Sequence, residues 1–158
     1  MVEVRGIETE LETFRFFDGM SEEHRQLIAG CGQHEVAKAG EYVFRAGDKA
    51  DKFYLVRTGL LSVEVHVPGR EGLVVDTLRD SDTLGWSWMV PPYVWALDAR
   101  ASELTRLISF DAVCLRGKME TDKDFAYDMF RRFIPVMDRR LTETRMRIVE
   151  LVTEPAAE

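Results

Sequence analysis

The residues best equipped for chemistry gather between Leu84 and Ser102, a stretch that reads Leu-Gly-Trp-Ser-Trp-Met-Val-Pro-Pro-Tyr-Val-Trp-Ala-Leu-Asp-Ala-Arg-Ala-Ser and holds all three tryptophans of the chain. Gly85 lets a backbone come close to a ligand, and Pro91-Pro92 limits any helix here to a couple of turns before the chain extends again. The segment reads as strand, mini-helix, strand. The first amides of such a mini-helix, on Gly85, Trp86 and Ser87, have no intrahelical partners and lie at the positive end of its dipole, an arrangement that suits an anion.

Catalytic patterns are weaker. Gly85-Trp86-Ser87-Trp88-Met89 begins like the G-x-S-x-G nucleophile elbow but lacks its last glycine, so Ser87 is not assigned as a nucleophile. His24, His34 and His66 are not at metal-ligand spacing, and they read as solvated or hydrogen-bonded side chains. No acid/base pair is set by spacing. The sequence thus assigns no catalytic residue, no metal and no cofactor. Cys31 and Cys114 are far apart and form no CxxC, which predicts two small buried hydrophobes rather than a disulfide framework or a zinc knuckle.

Composition bounds the function classes. At 158 residues, 46% hydrophobic and 31% charged, the chain fits one domain with a sizeable core. No apolar run approaches the roughly 20 residues of a membrane helix, and Met1-Val2-Glu3-Val4-Arg5 does not open like a secretion signal, so a cytoplasmic location is expected. A formal net charge of −7 works against nucleic acid and anionic lipid as partners, because both require clustered positive charge.

Around the Leu84 to Ser102 unit, the elements follow in order. Glu8 to Phe17 and Ser21 to Ala29 read as two short helices, the second capped by Ser21 with Glu22 and Glu23 in its first turn and Gly30 at its end. From Gln33, runs rich in Val, Phe, Tyr, Leu and Thr are broken by Ala39-Gly40, Ala46-Gly47-Asp48, Thr58-Gly59, Pro68-Gly69 and Asp80-Ser81-Asp82, the punctuation of an all-β sandwich or roll. Ser62, Glu64 and His66 alternate with Leu61, Val63, Val65 and Val67, which predicts one wet and one dry face. Leu104 to Phe110 gives a last strand, and Asp111 caps a helix running toward Arg116. The expected organisation is a helical preface (1–31), a β-roll (32–110), C-terminal helices (111–152) and a tail (153–158), all in one domain.

Asp122 to about Val152 is helical in pattern, with Phe130, Ile134, Met137, Leu141, Thr144, Ile148 and Leu151 spaced 4, 3, 4, 3, 4, 3 as in a coiled-coil seam. Pro135 predicts a kink or break, at a cost of roughly 3 kcal/mol for an interior position. Asp138, Arg139, Arg140, Glu143, Arg145, Arg147 and Glu150 place charge on the flanks. A narrow stripe at this spacing predicts a homodimer through Met137, Leu141, Thr144, Ile148 and Leu151; the alternative is packing onto the protein's own roll.

The order of parts resembles the cyclic nucleotide-binding domain of the catabolite-activator and fumarate-nitrate regulator superfamily. Gly40-Glu41-Tyr42-Val43-Phe44-Arg45-Ala46-Gly47-Asp48 resembles the family's GE-x-I-x-x-x-GD hairpin, and Phe53-Tyr54-Leu55-Val56-Arg57-Thr58-Gly59 its F-Y-x-I-x-x-G strand and turn. The resemblance implies a mainly β fold, a double-stranded β-helix or jelly roll, with flanking helices and a long C-terminal dimerisation helix. It also implies a phosphate-binding cassette on Gly85 to Ala101, where the sequence departs from the pattern. The family's ribose-binding glutamate is replaced by Trp86, and its phosphate-binding arginine and small hydroxyl residue by the segment Val94, Trp95, Ala96. Arg100 resembles an arginine near the start of the next strand and would equally serve as a structural partner of Asp98 or Glu103. The candidate ligand-binding set is therefore Gly85, Trp86, Ser87, Trp88, Val94, Trp95 and Arg100. Two readings of the rings stay open: they fill the cavity, or they line a pocket for a flat or apolar effector. The family's regulators continue into a helix-turn-helix, which this sequence does not reach. The expectation is a regulatory or sensor domain acting through an unknown effector or partner protein, the alternative a scaffold that binds no ligand.

Overall fold

The computed structural model describes residues 2–154; Met1 and the tail residues 155–158 lie outside it. The chain opens with helix α1 (Val2–Leu11), a 3₁₀ turn over Arg15–Phe17, and α2 (Glu22–Ala29). Eight strands follow: β1 (Gly32–Ala37), β2 (Tyr42–Phe44), β3 (Lys52–Thr58), β4 (Leu61–Val65), β5 (Leu73–Leu78), β6 (Thr83–Leu84), β7 (Asp98–Ala101) and β8 (Thr105–Asp111). A 3₁₀ turn over Ser87–Met89 separates β6 from β7, and α3 (Ala112–Thr121) and α4 (Lys123–Thr153) end the described chain. The strands form two four-stranded antiparallel sheets ordered β1-β8-β3-β6 and β2-β7-β4-β5. This is the mainly β roll with flanking helices that the sequence predicts.

Local chemistry explains most boundaries. Ser21 accepts from the His24 amide, Asp111 from Cys114 and Asp122 from Phe125, so a side-chain oxygen satisfies one orphan donor at the start of α2, α3 and α4. Gly59, in the β3–β4 turn, has φ +123, and a Cβ there would lie 2.7 Å from the Thr105 Cα, so only glycine fits. The core is strongly aromatic. Phe53 stacks on Phe110 and Trp88, and Phe133 of α4 meets Phe16, Phe53 and Trp88 edge-on, which seats α4 against the roll.

Four expectations are corrected. The first helix is not Glu8 to Phe17: α1 ends at Leu11, and the Thr13 hydroxyl bonds back to Glu10 O before the separate 3₁₀ turn. Pro135 does not break α4, which runs through it unbroken for 31 residues. Residues on either side hold it, because Phe133 and Arg140 are both buried against the roll. The alternation along β4 fails where a bulge against β5 separates Val63 from Glu64; Glu64 is 2% exposed and Val65 is exposed. Finally, Cys31 and Cys114 are not free hydrophobes. They form a disulfide, with Cα atoms 5.9 Å apart, that ties the end of α2 to the first turn of α3.

Candidate functional site

The Leu84 to Ser102 segment is positioned from three sides. Its glycine, Gly85, follows β6 with φ +94, and a Cβ there would collide with the Trp95 indole. Trp95 is 5% exposed and lies flat on Phe44 of β2, ring centroids 3.8 Å apart and planes 6° from parallel. Backbone bonds pin it, Trp95 N to Asp48 O and Gly47 N to Trp95 O. The Gly47-Asp48 turn between β2 and β3, strands of different sheets, therefore holds the indole over Gly85. The space left between Phe44, Val63, Leu84, Gly85, Trp86, Ser87 and Trp95 is about 80 Å³.

The other tryptophans do different work. Trp88 is fully buried between Phe53 and Phe133 and belongs to the core. Trp86 is half-buried and carries the Arg140 guanidinium 5.3 Å above its ring. Ser87 opens a 3₁₀ turn of only three residues, so the amide array expected of a mini-helix is a single turn. The sequence leaves Val94, Trp95 and Ala96 equivalent, and the structure separates them: Trp95 turns into the roll, while Val94 and Ala96 are exposed.

Arg100 pairs with neither Asp98 nor Glu103. Its Nη2 lies 3.0 Å from Oε1 of Glu64, which also accepts from the Ser62 hydroxyl, while Asp98 accepts from the Ala46 amide at 2.7 Å. That answers how Glu64 can be buried in a strand: Arg100 covers and neutralises it.

Arg140 is the residue that sequence reasoning missed. Placed with the solvated flank of α4, it is 6% exposed, donates to Thr83 O, and lies 3.5 Å from Asp76 Oδ2 of β5. Burial, against the opposing pull of Asp76, draws its pKa down to about 10, so it stays charged at neutral pH. The signal was present in the spacing. Phe125, Met129 and Phe133 form a second stripe four residues apart, facing the roll, and Arg140 continues it two turns on. Arg116 of α3 was missed as well. It donates to Trp88 O at 2.7 Å and lies 4.1 Å over the Tyr93 ring, clamping the segment from outside.

Beside the Trp95 space lies a larger cleft of about 510 Å³ between α4 and the β4–β5–β7 sheet, lined on the roll side by Val63, Val75, Trp86 and Leu97 and on the helix side by Met137 and Leu141. Arg140 and Asp76 also line it. The seam itself is uncovered in the single chain: Ile134, Met137, Leu141, Ile148 and Leu151 are exposed and Thr144 is half-buried. Of the three histidines, His24 bonds Asp128 at 2.9 Å and His34 bonds Glu10 at 3.0 Å, so two of them join elements. Among the described residues, no group of three or more His, Cys, Asp and Glu side chains is placed to hold a metal, and no helix is long and apolar enough to cross a membrane.

A family model described as the cyclic nucleotide-binding domain matches residues 34–122. No curated protein matches the chain. Among solved structures, a putative cyclic nucleotide-binding protein from Geobacter metallireducens superposes with a TM-score of 0.76 at 21% identity, covering 85% of this chain and 97% of that one. A cyclic nucleotide-binding domain from Methylobacillus flagellatus gives 0.77 at 16% identity, with 98% and 86% covered. The sensor domain of the transcriptional regulator DNR from Pseudomonas aeruginosa gives 0.68 at 18% identity, with both chains fully covered. At these identities the structural likeness speaks for the fold.

Proposed function

Because this chain belongs to the cyclic nucleotide-binding domain family, we propose that it is a regulatory domain whose nucleotide site has been closed from within, and which acts as a homodimer on a partner protein. The observation that carries this reading is Trp95, lying on Phe44 and against Gly85. About 80 Å³ remains there, well short of the 300 Å³ or more of an ordinary ligand pocket. The two charged groups that the family resemblance calls for are also missing from that alignment, in which Trp86 takes the glutamate's place and the segment Val94, Trp95, Ala96 the place of the arginine and hydroxyl residue.

The cleft beside α4 favours a sensor over a passive scaffold. Its volume suits a small molecule, its walls are apolar and aromatic, and Trp86 offers a flat face. Met137, Leu141 and Thr144 belong both to this cleft and to the seam, so an effector there and a partner helix compete for, or share, one surface. That linkage would convert effector binding into a change of assembly. The test is light scattering and thermal unfolding of the wild-type chain at about 10 μM, with and without cyclic AMP at about 1 mM. A dimer of the 18.2 kDa chain, with an unfolding midpoint that cyclic AMP does not move, is expected. A monomer would overturn the assembly, and a midpoint raised by several degrees would overturn the closed site.

A further inference from the structure

The Cys31–Cys114 disulfide is built asymmetrically. Cys31 follows α2 and is 8% exposed, whereas Cys114 lies in the first turn of α3 and is half-buried, so Cys114 is the more exposed residue of the pair. On the Cys31 side sits Lys118. Its Nζ donates to Leu27 O at 2.6 Å, and the Cys31 Sγ lies 3.9 Å from the same oxygen. Among the described residues Lys118 forms no ion pair with a carboxylate; its ammonium rests on the Leu27 carbonyl at the end of α2, the oxygen that the Cys31 sulfur also approaches. We propose that Cys31 and Cys114 form a reversible redox site, opened and closed by exchange with a small thiol–disulfide couple, in which Lys118 stabilises the departing Cys31 thiolate.

The chemistry balances with that couple as co-reactant. A small-molecule thiolate attacks the Cys114 sulfur, the Cys31–Cys114 bond breaks, and the electron pair leaves on Cys31 as a thiolate beside the Lys118 ammonium. A second small thiolate attacks the small-molecule sulfur of the mixed disulfide, forming the external disulfide and releasing Cys114, which takes a proton from solvent. Two external thiols are oxidised and the protein disulfide is reduced; the reverse sequence closes it. Burial lowers the pKa of Lys118, and a thiolate neighbour offsets that burial only in the reduced form. Closure adds a covalent tie between the preface and α3, which leads directly into α4, to the Lys118–Leu27 and His24–Asp128 hydrogen bonds that join the same helices.

The experiment titrates the native full chain with glutathione buffers of graded poise, quenches with acid, alkylates and counts thiols by mass spectrometry. Two thiols should appear together and reversibly without denaturant, and the transient glutathione adduct should map to Cys114. Lys118→Met should slow reduction as the Cys31 thiol pKa rises, because a thiolate of higher pKa leaves more slowly. That rise is read independently, as thiolate absorbance against pH in Cys114→Ser with and without Lys118→Met. Reduction only after unfolding would make the bond purely structural and overturn the proposal, as would thiols that fail to pair at any poise. An unchanged thiolate titration in the lysine variant would overturn the role of Lys118.

Discussion

At the scale of single residues, the account turns on one indole. Trp95 occupies the volume above Gly85 and stacks on Phe44, so Trp95→Ala removes a large buried side chain and leaves a cavity in a site braced by backbone bonds. A loss of about 3–5 kcal/mol is expected, read as a lower urea midpoint with an unchanged m-value. Gly85→Ala should destabilise in the same assay, because the added carbon meets Trp95 on a backbone with φ +94. Asp128 provides a second residue-scale prediction. Burial alone would raise its pKa, but the hydrogen bond from His24 and the charges of Arg132 and Arg131 hold it below the usual value. A carboxylate with a lowered folded pKa contributes stability that is fully present above its unfolded pKa and lost as pH falls through the folded one. Asp128→Asn should therefore cost about 1–3 kcal/mol at pH 7, and the gap to wild type should shrink as pH falls from about 4 through the lowered value. A gap unchanged at low pH would show that the charge is not what stabilises.

At the scale of elements, what was legible in the sequence is what local chemistry determines. Ser21 and Asp111 announce α2 and α3, because a cap needs only its own first turn, and apolar spacing from Asp122 onward announces α4. The glycine turns announce the roll. What was not legible depends on neighbours distant in sequence. The cysteines are 83 residues apart, yet β1 pairs with β8 so that Gly32 faces Phe110, and Asp111 N donates to Cys31 O; knowing that pairing would have placed Cys31 beside Cys114. Arg140 looked solvated because one apolar stripe, the seam, drew attention from the second stripe that seats α4 on the roll. The Val94–Trp95–Ala96 segment could not be resolved because no spacing says which of three consecutive residues turns inward. The seam itself yields the element-scale prediction. Leu141 is 49% exposed, so Leu141→Glu leaves the fold of the single chain nearly undisturbed while placing a charge in the centre of the helix pair. Light scattering should report a monomer for the variant and a dimer for wild type; a variant that remains dimeric would show that the contact lies elsewhere.

At the scale of the whole molecule, net charge carries a prediction about nucleic acid. A net charge of −7 opposes the approach of a polyanion. A gel shift with this chain and a random duplex should show no salt-sensitive retention, and retention that falls steeply with salt would contradict that. The roll keeps the glycine turns and two antiparallel sheets of the cyclic nucleotide-binding fold, and within it Trp95 lies on Phe44 and against Gly85. Charge-assisted hydrogen bonds to buried groups are worth about 1.5–3 kcal/mol each, so on the proposed reading the loss of two charged clamps removes two to four decades of affinity, before the Trp95 ring is counted. Isothermal titration of the wild-type chain with cyclic AMP and cyclic GMP tests this most directly. The account predicts no saturable heat up to about 1 mM of either nucleotide, whereas a dissociation constant below about 10 μM, roughly −7 kcal/mol, would mean that Trp95 yields the site and the cassette is open.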